Sequence, residues 1–322
     1  MRLVRLDTAE ALRPVVNEAA SFKLAFSEPG RRYYGAVFAE TLQDRSCAVT
    51  DDTGPLLVWE CDEANGVLQR FGNPVEPWWR PGLDHKTRRE AARMLLGALD
   101  ALGPLTLRVR TSPATDPDGL LASLLQGRGA SCAVQLRSVM DLTQSEDALE
   151  AGLRSSIRRH VRWGRSNLTL EFVDAANPNE ELFHAYRELH RVVAGRVTRP
   201  LDSWIESFEA IRHGEGDLVL CRQDGELAGG VLIADAGDTA FYATGVFERD
   251  RFEKPIGHWP QFVAALRAKA RGRAVYDVGE VFLPEHDVSE KERAIGYFKS
   301  GFSSTLMPSL IWTSTPNTGS PK

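Results

Sequence analysis

The sequence predicts an α/β protein of two halves, each a mixed, mostly antiparallel sheet flanked by helices. Three observations carry that expectation. The 322 residues suit two domains at roughly 150 residues each. Apolar residues make up 43% and charged residues 26%, the balance of a chain that buries a sizeable core. Both halves also repeat one order of elements: meander strands, a helix, a strand, a second helix and a closing strand.

In the first half, Ser46–Asp51 and Gly54–Cys61 read as strands joined by the turn residues Asp52-Thr53-Gly54. Gly66–Gly72 is a third strand. A helix is expected from Lys86 to Leu102, a strand over Leu105–Thr111, a short helix over Gly119–Gln126 and a strand over Ser131–Leu142. The second half opens with one helix, Glu146–Arg165, then a strand, Leu168–Val173, and helices over Asn179–Val193 and Asp202–Ile211. Asp217–Arg222 and Glu226–Ala234 form a hairpin about Gln223-Asp224-Gly225. Strand Thr239–Phe247, helix His258–Arg271, strand Arg273–Val278, helix Glu290–Ser300 and strand Phe302–Thr313 complete it. The polar tail Ser314–Lys322 is expected to fray. The expected domains are 1–145, binding or supporting, and 146–322, catalytic.

A net charge of −5 excludes a generically basic nucleic-acid binder but leaves room for a local basic patch. Cys47, Cys61, Cys132 and Cys221 show neither CxxC pairing nor histidines at ligand spacing. That pattern argues against a zinc site or a disulfide framework and for a reducing compartment. The N-terminal residues lack a signal-peptide core, and no apolar run approaches the roughly 18 residues of a membrane span. The expectation is a cytoplasmic protein.

Five segments stand out. In LRSSIRRHVRWGR, helical spacing puts Leu149, Leu153, Ile157 and Val161 on one stripe and Arg154, Arg158, Arg162 and Arg165 on the adjoining face. Early acids and late arginines also satisfy the helix dipole. The alternative is a face that tracks phosphates. In GRVTRP, Arg196 and Arg199 lie in a loop between helices, solvated or placed to clamp an anion. In RDRFEKPIGHWP, Lys254 precedes and His258 opens a helix whose N-terminus favours negative charge. In YDVGE, Tyr276, Val278 and Glu280 share one side of a strand if alternation holds, with Glu280 at the strand end. In SEKERAIGYFKSGF, Ser289 and Glu292 read as a capping box, Gly301 as a left-handed cap, and Lys299 as a last-turn cation. There is no P-loop, no strand-turn-helix GxGxxG and no ordered Ser-His-Asp. Gly229-Gly230 marks a bulge or a close backbone approach.

On the basic helix RSSIRRHVRWGR, the late strand YDVGE and IGYFKSGF, residues 146–308 resemble the Fem-type aminoacyltransferases and the related GNAT-fold acyltransferases. The first half matches in element order. The resemblance implies tandem GNAT-like domains and transfer of an aminoacyl group from tRNA to an amine of a cell-wall precursor. It implies a reactive centre at the Phe-Lys pair, here Phe298 and Lys299. The lysine would stabilise an oxyanion or meet the donor's 3′ end. The family's late-strand motif usually reads Asp-Phe/Leu-Gly-Gly. Here it is Asp277-Val278-Gly279-Glu280, and the departure makes Glu280 a candidate general base, with Tyr242 and His258 orienting substrate. The coenzyme A-dependent branch carries R/Q-x-x-G-x-G/A. Arg251 through Ile256 lacks those glycines, and Pro255 removes an N–H. The donor expected is therefore aminoacyl-tRNA, with acyl-CoA as the alternative, and no tightly bound cofactor or metal. The acceptor classes are an envelope precursor, an amino sugar and a small amine. A non-catalytic nucleotide- or partner-binding protein is the third reading.

Overall fold

The computed structural model describes residues 1–5, 24–38, 41–303 and 305–315. Of the expected fraying tail, residues 316–322 lie outside that set. Contacts divide the chain into two compact units. One lies within Met1–Ala20, Phe38–Gln135 and Pro308–Lys322, the other within Ser21–Val37 and Leu136–Met307. The expected boundary at 145/146 differs from this division. Leu136–Asp141 pair with a strand of the second unit, and residues 24–37 belong there too.

Along the chain, β1 (Arg2–Arg5) precedes helix α1 (Glu28–Phe38). Then come β2 (Gln43–Asp44), β3 (Cys47–Asp51), β4 (Gly54–Trp59), β5 (Asp62–Ala64), β6 (Val67–Gln69) and β7 (Pro77–Trp79). Helix α2 (His85–Asp100), β8 (Thr106–Thr111) and α3 (Leu120–Gly127) follow. In the first unit, β1, β3, β4 and β7 form an antiparallel sheet in that order. Strand β8 lies beside β6, which neighbours β5 and then β2. Alternation buries Leu57 and Trp59 with Leu95 of α2, Val109 and Leu121, all at 0% exposure, as one core. Asp84 starts α2 by accepting from the Thr87 N–H at 2.7 Å.

Chain β9 (Ser131–Asp141) leads into α4 (Glu146–Gly152), α5 (Ser155–Asn167), β10 (Thr169–Val173), α6 (Glu180–Ala194) and α7 (Leu201–Arg212). The second unit continues with β11 (Gly216–Gln223), β12 (Glu226–Ala236), β13 (Thr239–Phe247), α8 (His258–Ala270), β14 (Val275–Val281) and α9 (Glu290–Lys299), before β15 (Thr305–Ser314). Its sheet runs β10-β11-β12-β13-β14-β9, antiparallel except for β13 beside β14. One face packs against α5 and α8 through Ile157, Val161, Phe262 and Tyr276. The other packs against α6 and α7 through Phe183, Tyr186, Trp204 and Leu232.

The fold class stands as expected, and two local expectations need correcting. The single helix 146–165 breaks at Leu153-Arg154. Both take extended ψ, and Arg154 N–H donates to the Gly301 carbonyl at 2.9 Å instead of continuing the helix. Gly301 has no left-handed backbone. It is needed for space, since a Cβ there would stand 2.5 Å from Ile157 Cγ1. The hairpin turn falls on Asp224 and Gly225, both at positive φ, and the Ser289–Glu292 capping box is present.

Candidate active site

Strands β13 and β14 pair in parallel only where Thr239–Phe241 meet Val275–Asp277. Beyond that they part, and their facing edges no longer pair with each other. On β14 a bulge at Val278 shifts the register, so Gly279 opposes Ser138 and Glu280 opposes Arg137. The expected alternation fails for this reason. Tyr276 and Val278 join the core beneath α8. The extra residue turns Glu280 to the other face, that of Arg137 and Asp277. Arg137 Nε donates to Asp277 Oδ2 at 2.7 Å.

The α8 face of the gap carries two unpartnered polar groups. Lys299 ends α9 and extends over Gly279, where a Cβ would lie 2.8 Å from Nζ. Gly279, at φ +115°, is the position that admits it. The Ser138 hydroxyl donates to the Lys299 carbonyl at 3.1 Å and fixes the helix end. Nζ has no hydrogen-bond or ion-pair partner among the described residues. Burial, then the Arg137 guanidinium, lowers its pKa, while Asp277 and Glu280 pull it back. Tyr242, the first β13 residue past the last β13–β14 pair, lays its hydroxyl over Gly245, and burial pushes the phenol up to about 12. It packs in the same cluster as Tyr276 and Phe298.

Phe298 turns toward His258, with ring centroids 5.1 Å apart. His258 Nδ1 lies 3.2 Å from the Pro255 carbonyl, and its Nε2 lies 3.3 Å from His160 Nδ1. The carbonyl requires a proton on His258 Nδ1, so His258 Nε2 accepts from His160 Nδ1–H. Burial holds His258 down at about 4 and lowers His160 as well. Helices α5 and α8 come close enough for this pair because Gly164 has no side chain: a Cβ there would meet Trp259 Cβ at 2.4 Å.

The α7 face carries Arg199. Its guanidinium donates to Tyr33 Oη at 2.6 Å and to Thr244 Oγ1, on the parting half of β13, at 3.2 Å. It stacks 3.8 Å from the Trp204 ring centre. No carboxylate lies within ion-pair range of Arg199 among the described residues, so its charge is balanced only by neutral groups. Arg196 is exposed at the rim of an adjoining cavity of about 210 Å³, which Arg199 also lines.

The arginines of α5 do not form one face. Arg154 stands before the helix, with its guanidinium 3.9 Å over the Tyr297 ring and donating to the Tyr297 carbonyl. Arg158 folds back onto the Leu153 carbonyl, and Arg165 pairs with Glu150 at 2.7 Å. Arg162 is exposed, as is Lys254. Gly229 admits the Phe247 ring, with a Cβ only 2.1 Å from Cδ1. Sequence reasoning missed Tyr33, Thr244, Trp204, Arg137 and His160. Each acts through a partner distant in the chain, so local spacing carries no sign of it. No group of three His, Cys, Asp or Glu among the described residues is placed to hold a metal.

No protein-family model matches the chain, and no curated protein sequence matches it. Solved structures do. The crystal structure of FemX superposes with TM-score 0.67 at 14% identity, covering 98% of each chain. The chain has the FemX-type fold. The C-terminal domain of a putative lysylphosphatidylglycerol synthetase from Agrobacterium fabrum shares this FemX-type architecture, with TM-score 0.60, 13% identity and coverage of 96% of this chain and 92% of that one. A tandem GNAT protein from the clavulanic acid biosynthesis pathway matches over 100% of both chains with TM-score 0.52 and 14% identity. The FemX-type, tandem GNAT-like fold is therefore shared across nearly the whole length.

Proposed function

We propose that this protein is an acyltransferase that forms an amide, moving an aminoacyl group from aminoacyl-tRNA to an acceptor amine of an envelope precursor, an amino sugar or a small molecule. One observation carries the reading. The Lys299 ammonium and the Tyr242 hydroxyl, both unpartnered, lie on the same face of two parting strands. A carbonyl in the gap would meet a cation and a neutral O–H donor, the pair an oxyanion needs.

The acceptor enters from the α7 face, past Arg199 and Glu280. Its neutral amine attacks the ester carbonyl carbon, and the C–N bond forms as charge develops on oxygen beside Lys299. Glu280 takes one proton from the nitrogen. The C–O bond to the ribose then breaks, the leaving oxygen takes a proton from Tyr242, and the proton held by Glu280 returns to Tyr242 through solvent as products leave. Phe298 and His258 wall the donor side, and Arg154 steadies the end of α9. No covalent enzyme intermediate is needed.

Arg162 and Lys254 are exposed cations, of the kind that suits a phosphate backbone. The 251–256 loop supports tRNA over acyl-CoA, because Pro255 lacks an N–H and Ile256 is buried at 1% exposure. Calorimetric titration with coenzyme A and acetyl-CoA, followed by transfer of labelled amino acids from bulk aminoacyl-tRNA to a pool of amines, tests it. Transfer from tRNA without coenzyme A binding is expected. Micromolar coenzyme A binding would make acyl-CoA the donor.

A further inference from the structure

The corner where α6 meets α7 has a surface that the transfer chemistry does not use. Val192, Val197, Leu201 and Ile205 are 60, 74, 55 and 50% exposed. They are large aliphatic side chains in a segment that has already buried Leu189 and Trp204 beneath it. Gly195 ends α6 in the left-handed conformation at φ +69°, and residues 195–198 are all exposed. The chain therefore projects Val197 outward at the tip. Leu201 and Ile205, one turn apart on α7, continue the same apolar strip.

Arginines border the strip. Arg187, Arg191, Arg196 and Arg199 line the 210 Å³ cavity beside Val197 and Leu201. Among the described residues of these two helices and their loop, Glu188 and Asp202 oppose them here, and Glu188 is spent on Arg191 at 2.5 Å. Glu206 and Glu209, further along α7, are bound to Arg32 and Arg212. The corner is thus locally positive on a chain of net charge −5. Aliphatic side chains with no cover, ringed by guanidiniums over a recess of headgroup size, match a bilayer interface with anionic lipid. A protein partner's apolar core would instead leave these arginines to be desolvated.

We propose that the α6–α7 corner docks this protein on an anionic lipid surface, with Val197, Leu201 and Ile205 entering the interface and the neighbouring arginines meeting phosphate headgroups. The docking stands on this surface alone. It also deepens the functional reading, because Arg199 connects the corner to Thr244 in the gap, so a membrane-borne acceptor would arrive on the acceptor face.

The test is sedimentation of the full chain with large vesicles of phosphatidylcholine alone or of phosphatidylcholine and phosphatidylglycerol at seven to three. We expect binding to the anionic vesicles at 50 mM salt, loss of that binding at 500 mM salt, and none to the neutral ones. Val197→Asp with Leu201→Asp should weaken partition at least about fivefold. Ile205→Glu, a single exposed change, should weaken it in the same direction. Circular dichroism and an unchanged Tm establish that the variants fold. Anionic-vesicle binding that the variants do not alter overturns the proposal, as does absence of binding at low salt. Concentration-dependent dimers lost in the double variant, without vesicle binding, would assign the face to a second copy and also overturn it. The assay reads binding alone, so its failure leaves amide transfer standing, and failure of transfer leaves it readable.

Discussion

The Lys299 ammonium occupies the space that a side chain at Gly279 would fill, 2.8 Å from where that Cβ would lie. The bulge on β14 and the end of α9 are therefore one device. The bulge brings Gly279 to the α9 face, the missing side chain admits the lysine, and the Ser138–Lys299 hydrogen bond holds the helix end.

Gly279→Ala tests that device. The new Cβ collides with the lysine end, and the φ of +115° strains any L-residue. The strain costs on the order of 1–3 kcal/mol, read as a lower urea midpoint. Transfer should fall at least about tenfold more than the stability loss explains, because the cation leaves the gap. Retained kcat in a folded Gly279→Ala protein would separate Lys299 from the chemistry.

Lys299 should also set the alkaline limb of the pH–rate profile. A lysine whose pKa is lowered by burial loses its proton at lower pH than an exposed one. Rate that depends on the ammonium therefore declines as pH rises through that lowered value. Lys299→Arg retains charge and should move the limb upward, at reduced kcat from altered geometry. Lys299→Ala should remove about two to three orders of magnitude in kcat. An alkaline limb unmoved in the arginine variant would assign it to another group.

The two-part α/β architecture was legible because core periodicity was intact in most elements. Leu149, Leu153, Ile157 and Val161 are buried as their spacing requires, at 5, 2, 2 and 0% exposure. The break at Arg154 was not legible, because Gly301, which receives its N–H, lies 147 residues away. That one hydrogen bond takes Arg154 off the helix and dissolves the expected arginine face. The orientation of Glu280 was hidden in the same way. YDVGE alternates cleanly as a string, and only pairing with β9 inserts the extra residue at Val278. Arg199 was visible as an arginine in a loop, but its partners Tyr33 and Thr244 lie 166 and 45 residues away.

Asp235→Ala should destabilise the fold without touching the gap. Asp235 is 4% exposed and accepts both Arg271 Nε and Nη2 at 2.9 Å and Arg273 Nε at 3.1 Å. Arg271 also pairs with buried Asp217. This network ties the end of α8 to β11 and β12. Removing the carboxylate leaves a largely buried guanidinium short of charge, at a cost of about 3 kcal/mol. The urea midpoint should drop while the KM for the donor stays unchanged. A neutral effect on stability would mean that Asp217 alone compensates Arg271.

His258 should make the protein acid-labile over a defined window. Its folded pKa is held at about 4, below the usual histidine value of 6.5, by burial, with His160 and Arg154 opposing protonation and the Pro255 carbonyl favouring it. In the unfolded chain the ring takes a proton near 6.5, while the folded chain refuses it until about 4. The unfolded state thus binds more protons between those values, and stability falls as pH is lowered from 6.5 to 4, by at most about 3 kcal/mol. His160 is lowered too, by burial, then Arg159 and Arg154, and adds to the same slope. His258→Phe keeps a ring against Phe298 and Phe302 but removes the titration. Its urea midpoint should therefore depend less on pH between 6.5 and 4.5 than that of the unaltered chain. An undiminished slope in His258→Phe would place the acid sensitivity elsewhere.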